Sequence, residues 1–142
     1  MNFTLHPRLK QDCIELGRFQ LCRLLLMNDN QYPWFILVPE KPEISEIYQL
    51  NKTDRSLLVE ESSYLAEKLS QLYNADKMNI ASLGNIVSQL HIHHVVRYQN
   101  DRSWPGPVWG KFDPVTYIES EIADIRQTLN TSLSASGYVT LS

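Results

Sequence analysis

The chain is short of cysteine, of excess basic charge and of long apolar runs. Its 142 residues include two cysteines, Cys13 and Cys22. They have no Cys-x-x-Cys spacing, so neither a disulfide framework nor a thiolate zinc site is indicated, and free thiols in a reducing compartment are expected. No apolar stretch approaches the roughly 20 residues of a membrane span. The opening residues, MNFTLHPRLKQDC, lack the hydrophobic centre of a secretory signal. A cytoplasmic location with no membrane partner is therefore expected. Thirteen Lys and Arg stand against sixteen Asp and Glu, a net charge of −3. That balance excludes a broad nucleic-acid binder, and any anionic ligand has to be held by local charge and oriented dipoles.

What is present suits one domain, taken as residues 1–142. Hydrophobic residues make up 43% and charged residues 20%, an ordinary soluble composition. A chain of this length buries roughly 68–70% of its unfolded surface and needs no covalent staple. FQLCRLLLM (19–27), the turn-forming NDNQYP and the continuous apolar run WFILV (34–38) predict a hairpin. The second strand, fenced by Pro33 and Pro39, is expected to be buried on both faces.

From Asn51 to Tyr73 the spacing of Leu58, Leu65, Leu69 and Leu72 predicts a helix, with Asn51 and Asp54 together as its start signal. KMNIASL (77–83) reads as a strand, Gly84–Asn85 as a turn and 89–98 as another strand. A Pro- and Trp-rich loop, WPGPVWGKF (104–112), follows. Asp113 as N-cap and Pro114 at the first helical position predict a last helix with the stripe Val115, Ile118, Ile122, Ile125 and Leu129. The class is α+β, with a largely antiparallel sheet of about five strands, a long helix between strands and a C-terminal helix.

The stretch SQLHIHHVVRY (88–98) carries three of the four histidines. Strand alternation places Gln89, His91, His93, Val95 and Arg97 on one face, and Leu90, Ile92, His94, Val96 and Tyr98 on the other. The second face is apolar, so His94 is read as a core histidine with a hydrogen-bond partner. The first face is polar, and the bland alternative for it is a solvated sheet surface. Two sharper readings of His91 and His93 compete. His-x-His presents two nitrogens to one metal ion, but no third ligand is near in sequence and His6 is far away. Alternatively, a neutral imidazole attacks a phosphate ester, with Arg97 suited to phosphate.

The run NIASLGNIVSQLHIHHVV (79–96) resembles the histidine-triad (HIT) family, whose signature alternates histidine with apolar residues. Counting five residues from Gly84 puts Gln89 in the first triad position, His91 in the second and His93 in the third, with Asn85 in place of the turn glutamine. The hairpin, helix and strand of residues 19–98 come in the order of that family. Trp34 stands where many members carry a histidine, and 99–133 add the loop and C-terminal helix.

This resemblance implies a nucleotide hydrolase or transferase that cleaves at the α-phosphate of a dinucleoside polyphosphate or a nucleoside phosphoramidate. His91 would be the nucleophile, with a backbone carbonyl fixing its tautomer. His93 would bond the phosphate or leaving group, and Gln89 would hydrogen-bond without titrating. Asn28 for ribose, Asn79 and Asn85 for phosphate and Arg97 for a polyphosphate tail complete the candidate set. Trp104 and Trp109 are assigned either to the pocket wall, to a subunit contact or to the core. No cofactor or metal is required, the partner is a small nucleotide rather than a nucleic acid, and a homodimer is implied. A nucleotide-binding protein without turnover, or a metal-dependent protein using His91 and His93, are the alternatives.

Overall fold

The structure is a computed structural model that describes residues 2–140. The elements are α1 (Pro7–Asp12), β1 (Cys13–Arg18), β2 (Cys22–Met27), β3 (Trp34–Pro39), α2 (Lys52–Tyr73), β4 (Lys77–Ala81), β5 (Ile92–Arg97), α3 (Glu119–Leu133) and β6 (Val139–Thr140), with a short 3-10 turn at Ile47–Gln49. They form one six-stranded antiparallel sheet in the order β4-β5-β3-β2-β1-β6. The α+β class holds, and β1 and β6 extend the predicted sheet on one side.

β3 is central, and all six of its residues are buried. Phe35 and Leu37 face a cluster with Leu24, Leu26, Ile92 and Val96, closed by Leu58, Leu65 and Leu69 of α2 and Leu129 and Leu133 of α3. Trp34, Ile36 and Val38 face a second cluster with Leu5, Leu9, Leu25, Val95 and Val108. This two-sided burial is why the run WFILV shows no alternation. Asn51 caps α2, its side-chain oxygen accepting from the Asp54 backbone N–H at 2.8 Å. Glu61 on α2 accepts from the backbone N–H groups of Leu21 and Cys22, each at 2.9 Å, and so ties the helix to the start of β2. Leu72, placed on the same stripe by sequence, is exposed.

Three expectations need correction. The strand that carries the histidines runs over Ile92–Arg97 rather than 89–98, so Gln89 and His91 lie in the segment leading into it. The last helix begins at Glu119, not Asp113. Residues 113–118 instead run along the β2–β3 turn: Asp29 Oδ1 accepts from Val115 N–H and Asn28 Oδ1 from Tyr117 N–H, while Asn30 N–H donates to the Val115 carbonyl. Side-chain carboxylate and amide groups thereby capture the backbone donors that a helix would use, leaving Val115 and Ile118 exposed. Lastly, the polar face of β5 is not solvated. His93 and Arg97 are buried beneath the N-terminal segment and the 104–112 loop.

Cys22 is buried and Cys13 half-buried, both as free thiols. Burial pushes Cys13 up to about 12 and Cys22 higher still, so neither is a nucleophile at neutral pH. No helix among the described residues is long and apolar enough to cross a membrane.

Candidate active site

A cavity of about 270 Å³ opens in front of His91 and His93. Its wall is made by Gly84, Asn85 and Val87 of the turn after β4, by Met27 at the end of β2, by Trp109, and by Arg8, Leu9 and Asp12 of α1. Gly84 sits at a φ of +79°, a backbone conformation that favours glycine and lets the turn double back beside the histidines. A second cavity of about 350 Å³ adjoins the first and shares Arg8, Asp12, Met27 and Gly110 with it; Asn28 and Asp29 line its far side.

The two imidazoles are 4.9 Å apart between ring centroids and are fixed in opposite tautomers. His91 Nδ1 lies 2.7 Å from the Gln89 carbonyl oxygen. A carbonyl can only accept, so the ring proton sits on Nδ1 and the Nε2 lone pair is left free. For His93 the arrangement is reversed. The Trp34 indole N–H donates to His93 Nδ1 at 3.0 Å, which places the ring proton on Nε2. One ring therefore presents a lone pair and its neighbour presents an N–H donor.

Burial keeps both rings neutral. Desolvation lowers the His91 pKa below its usual 6.5, opposed by the Gln89 carbonyl and assisted by the nearby His6 ring. Desolvation, followed by the adjacent His91 and His94, pushes His93 down to about 3. Trp34 and Trp109 pack edge-on to each other at 6.0 Å, and both contact the His93 ring, at 5.7 and 5.4 Å. The Trp109 indole nitrogen is buried with no hydrogen-bond partner among the described residues.

His94 lies on the opposite face, fully buried. Its Nδ1 donates to the Ile92 carbonyl at 3.1 Å and its Nε2 accepts from the Ser62 hydroxyl at 2.7 Å. Both nitrogens are satisfied, as expected of a core histidine, and burial lowers its pKa to about 4.

The structure brings His91, His93 and Asn85 together at the first cavity, with Asn28 at the second. It separates the other candidates from both. The Gln89 side chain turns away from the cavity: Oε1 accepts from His6 N–H and Nε2 donates to the Thr4 carbonyl, each at 2.9 Å. Its amide anchors the N-terminal segment, while its backbone carbonyl sets His91. Arg97 is likewise a correction. It is buried against Asp101, donating from Nε at 2.8 Å and Nη2 at 3.1 Å, and its other donors go to Asn79 Oδ1 at 2.7 Å and the Gly106 carbonyl at 2.8 Å. Arg97 and Asn79 thus brace the tryptophan loop from behind, and neither lines the cavities. Trp104 stacks on the same guanidinium at 5.6 Å, whereas Trp109 is cavity wall.

Sequence reasoning missed α1. Pro7 at its first turn was the available signal. It also set His6 aside as remote, yet Gln89 brings that residue beside His91. Among the described residues no group of three or more His, Cys, Asp or Glu is placed to hold a metal ion, so His91 and His93 find no third donor.

The domain is an antiparallel α+β fold that offers a lone-pair imidazole and a hydrogen-bond-donating imidazole to one cavity. The HIT domain model matches residues 8–100. The chain belongs to the histidine-triad (HIT) family, whose members bind or hydrolyse nucleotides. A histidine triad protein from Marinobacter aquaeolei is 50% identical, with a TM-score of 0.93 over 96% of this chain and 99% of that one. One from Sinorhizobium meliloti is 40% identical, with a TM-score of 0.90 over 92% and 97%. One from Bradyrhizobium japonicum is 36% identical, with a TM-score of 0.89 over 96% and 99%. No curated protein matches.

Proposed function

We propose that the protein is a nucleotidyl hydrolase or transferase that cleaves at the α-phosphate of a dinucleoside polyphosphate or a nucleoside phosphoramidate. The observation that carries this reading is the opposed tautomer pair. His91 Nε2 attacks phosphorus, a P–N bond forms, and the bond to the leaving group breaks with its electron pair, a polyphosphate leaving as the anion and an amine leaving after its nitrogen takes a proton from solvent. Because Nδ1–H stays on the Gln89 carbonyl, the positive charge that develops on the ring is stabilised where it arises. The His93 Nε2–H is left over by the Trp34 bond to donate to a phosphoryl oxygen as negative charge builds there, and it needs no change of protonation to do so. Water then attacks phosphorus and loses a proton to solvent, and the P–N electron pair returns to His91. Asn85 at the turn is assigned to phosphate and Asn28 to ribose, through the amide N–H₂ left over after its oxygen has bound Tyr117. The implied homodimer remains part of the reading, since β4 is an edge strand with Ile80 exposed.

A nucleotide-binding protein without turnover is the second reading, favoured by Gln89, which removes a titratable ring from the triad. Turnover of diadenosine tetraphosphate and of adenosine phosphoramidate, each with chelator present, tests both. The hydrolase reading expects turnover that survives chelation and disappears in His91→Ala. Tight AMP binding with no turnover of either substrate favours the second reading. Turnover restored only by added metal contradicts both.

A further inference from the structure

A site that is to receive phosphate has very little positive charge in its walls. Among the described residues Arg8 is the one Lys or Arg lining either cavity, and it lines both. Its Nε donates to Asp12 Oδ2 at 3.0 Å, and its terminal amino groups have no hydrogen-bond partner among the described residues. The pair stands at the rim, with side-chain exposures of 54% and 38%. An ion pair so open to water is weak. A phosphate accepts the guanidinium fork through two parallel, charge-assisted bonds. Exchanging Asp12 for phosphate is therefore a small rearrangement of one side chain.

The position of Arg8 depends on how its helix is held. α1 has six residues, too few to persist unsupported. The His6 ring caps it through Nδ1, which accepts from Arg8 N–H at 3.0 Å. Leu5 and Leu9 sink into the cluster beneath Trp34. Immediately before the helix, the Gln89 amide clasps the backbone at Thr4 and His6. Gln89 thus sets the His91 tautomer with its backbone and the approach of α1 with its side chain.

We propose that Arg8 is the phosphate-binding cation of this site, exchanging Asp12 for the phosphate of a bound nucleotide, and that Gln89 is the positioning residue that keeps it there. The proposal rests on the reading of the site as a nucleotide site. It also gives the substituted triad position a use: a ring is lost, and an anchor for a cation-bearing helix is gained.

Calorimetric binding of AMP and of adenosine separates the two ideas. Wild type is expected to bind AMP more tightly than adenosine. Arg8→Gln should weaken AMP about 10- to 100-fold and leave adenosine within roughly two-fold. Asp12→Asn should tighten AMP, because Arg8 is no longer neutralised. Gln89→Ala should weaken AMP alone, and should add nothing further in the Arg8→Gln background. If Arg8→Gln keeps the wild-type preference for AMP, or loses adenosine equally, the Arg8 assignment is overturned while the nucleotide reading stands. An additive Gln89→Ala loss in that background overturns the positioning role. Wild type that shows no preference for AMP overturns the nucleotide reading and the proposal with it.

Discussion

His91 and His94 are built alike and placed differently. Each donates from Nδ1 to the carbonyl two residues earlier, His91 to Gln89 and His94 to Ile92. Each therefore carries a lone pair on Nε2. In His94 that lone pair is taken by Ser62 in the core beneath α2; in His91 it faces the cavity. The difference is a single partner. A histidine whose second nitrogen is satisfied is a piece of core, and one whose second nitrogen is left open toward a cavity is what the proposed reaction needs as its nucleophile.

The largest expected effect follows from exchanging those roles. His91→Ala should lower turnover by about 10³-fold or more while the unfolding midpoint stays close to wild type. His94→Ala should do the reverse, costing about 2–4 kcal/mol of stability with turnover per folded molecule retained. Paired chemical denaturation and kinetics of the two variants check this, and equal losses of activity in both would break the comparison.

Trp34→Phe sharpens the comparison by acting on the third ring. It keeps most of the packing against His93 and removes the N–H that fixes its tautomer. A loss of about 10-fold in kcat with little change in KM is expected, and steady-state kinetics decide. A change confined to KM would mean that Trp34 serves binding alone.

Acid titration addresses the shared burial. His93 and His94 are held below their ordinary 6.5, at about 3 and about 4. The unfolded chain therefore binds protons that the folded chain refuses. Their contribution to stability is complete above about pH 6.5 and falls as pH drops toward 4, by up to about 1.4 kcal/mol per pH unit for each ring. Denaturation midpoints between pH 7 and pH 4 check the sign. Turnover should be flat at neutral pH and decline only in acid, as the lone pair of His91 is lost below 6.5.

The parts of this arrangement that were legible in sequence are those set by local periodicity. Alternation along 89–98 separated His91 and His93 from His94, and the Asn51 cap and the unbroken WFILV run located α2 and β3. What sequence hid depends on contacts between distant segments. Asp113 and Pro114 form a sound local start signal, yet Asn28 and Asp29 draw 113–118 into an extended path. Arg97 has the chemistry for phosphate, but Asp101 and Gly106 consume its donors once the loop folds back. The Gln89 amide was free to face cavity or N-terminus until Thr4 and His6 supplied partners. A six-residue helix such as α1 shows no periodicity at all, and Trp34 as the keeper of the His93 tautomer is visible only once β3 lies beside β5.

The most direct measurement is to trap the covalent intermediate. Wild type mixed with a radiolabelled dinucleoside polyphosphate and quenched in alkali, which preserves a phosphorus–nitrogen bond, is then digested and mapped by mass spectrometry. The account predicts a single nucleotidyl adduct on His91, absent in His91→Ala and present in His94→Ala. An adduct on His93 or His94, or full turnover in His91→Ala, would contradict it.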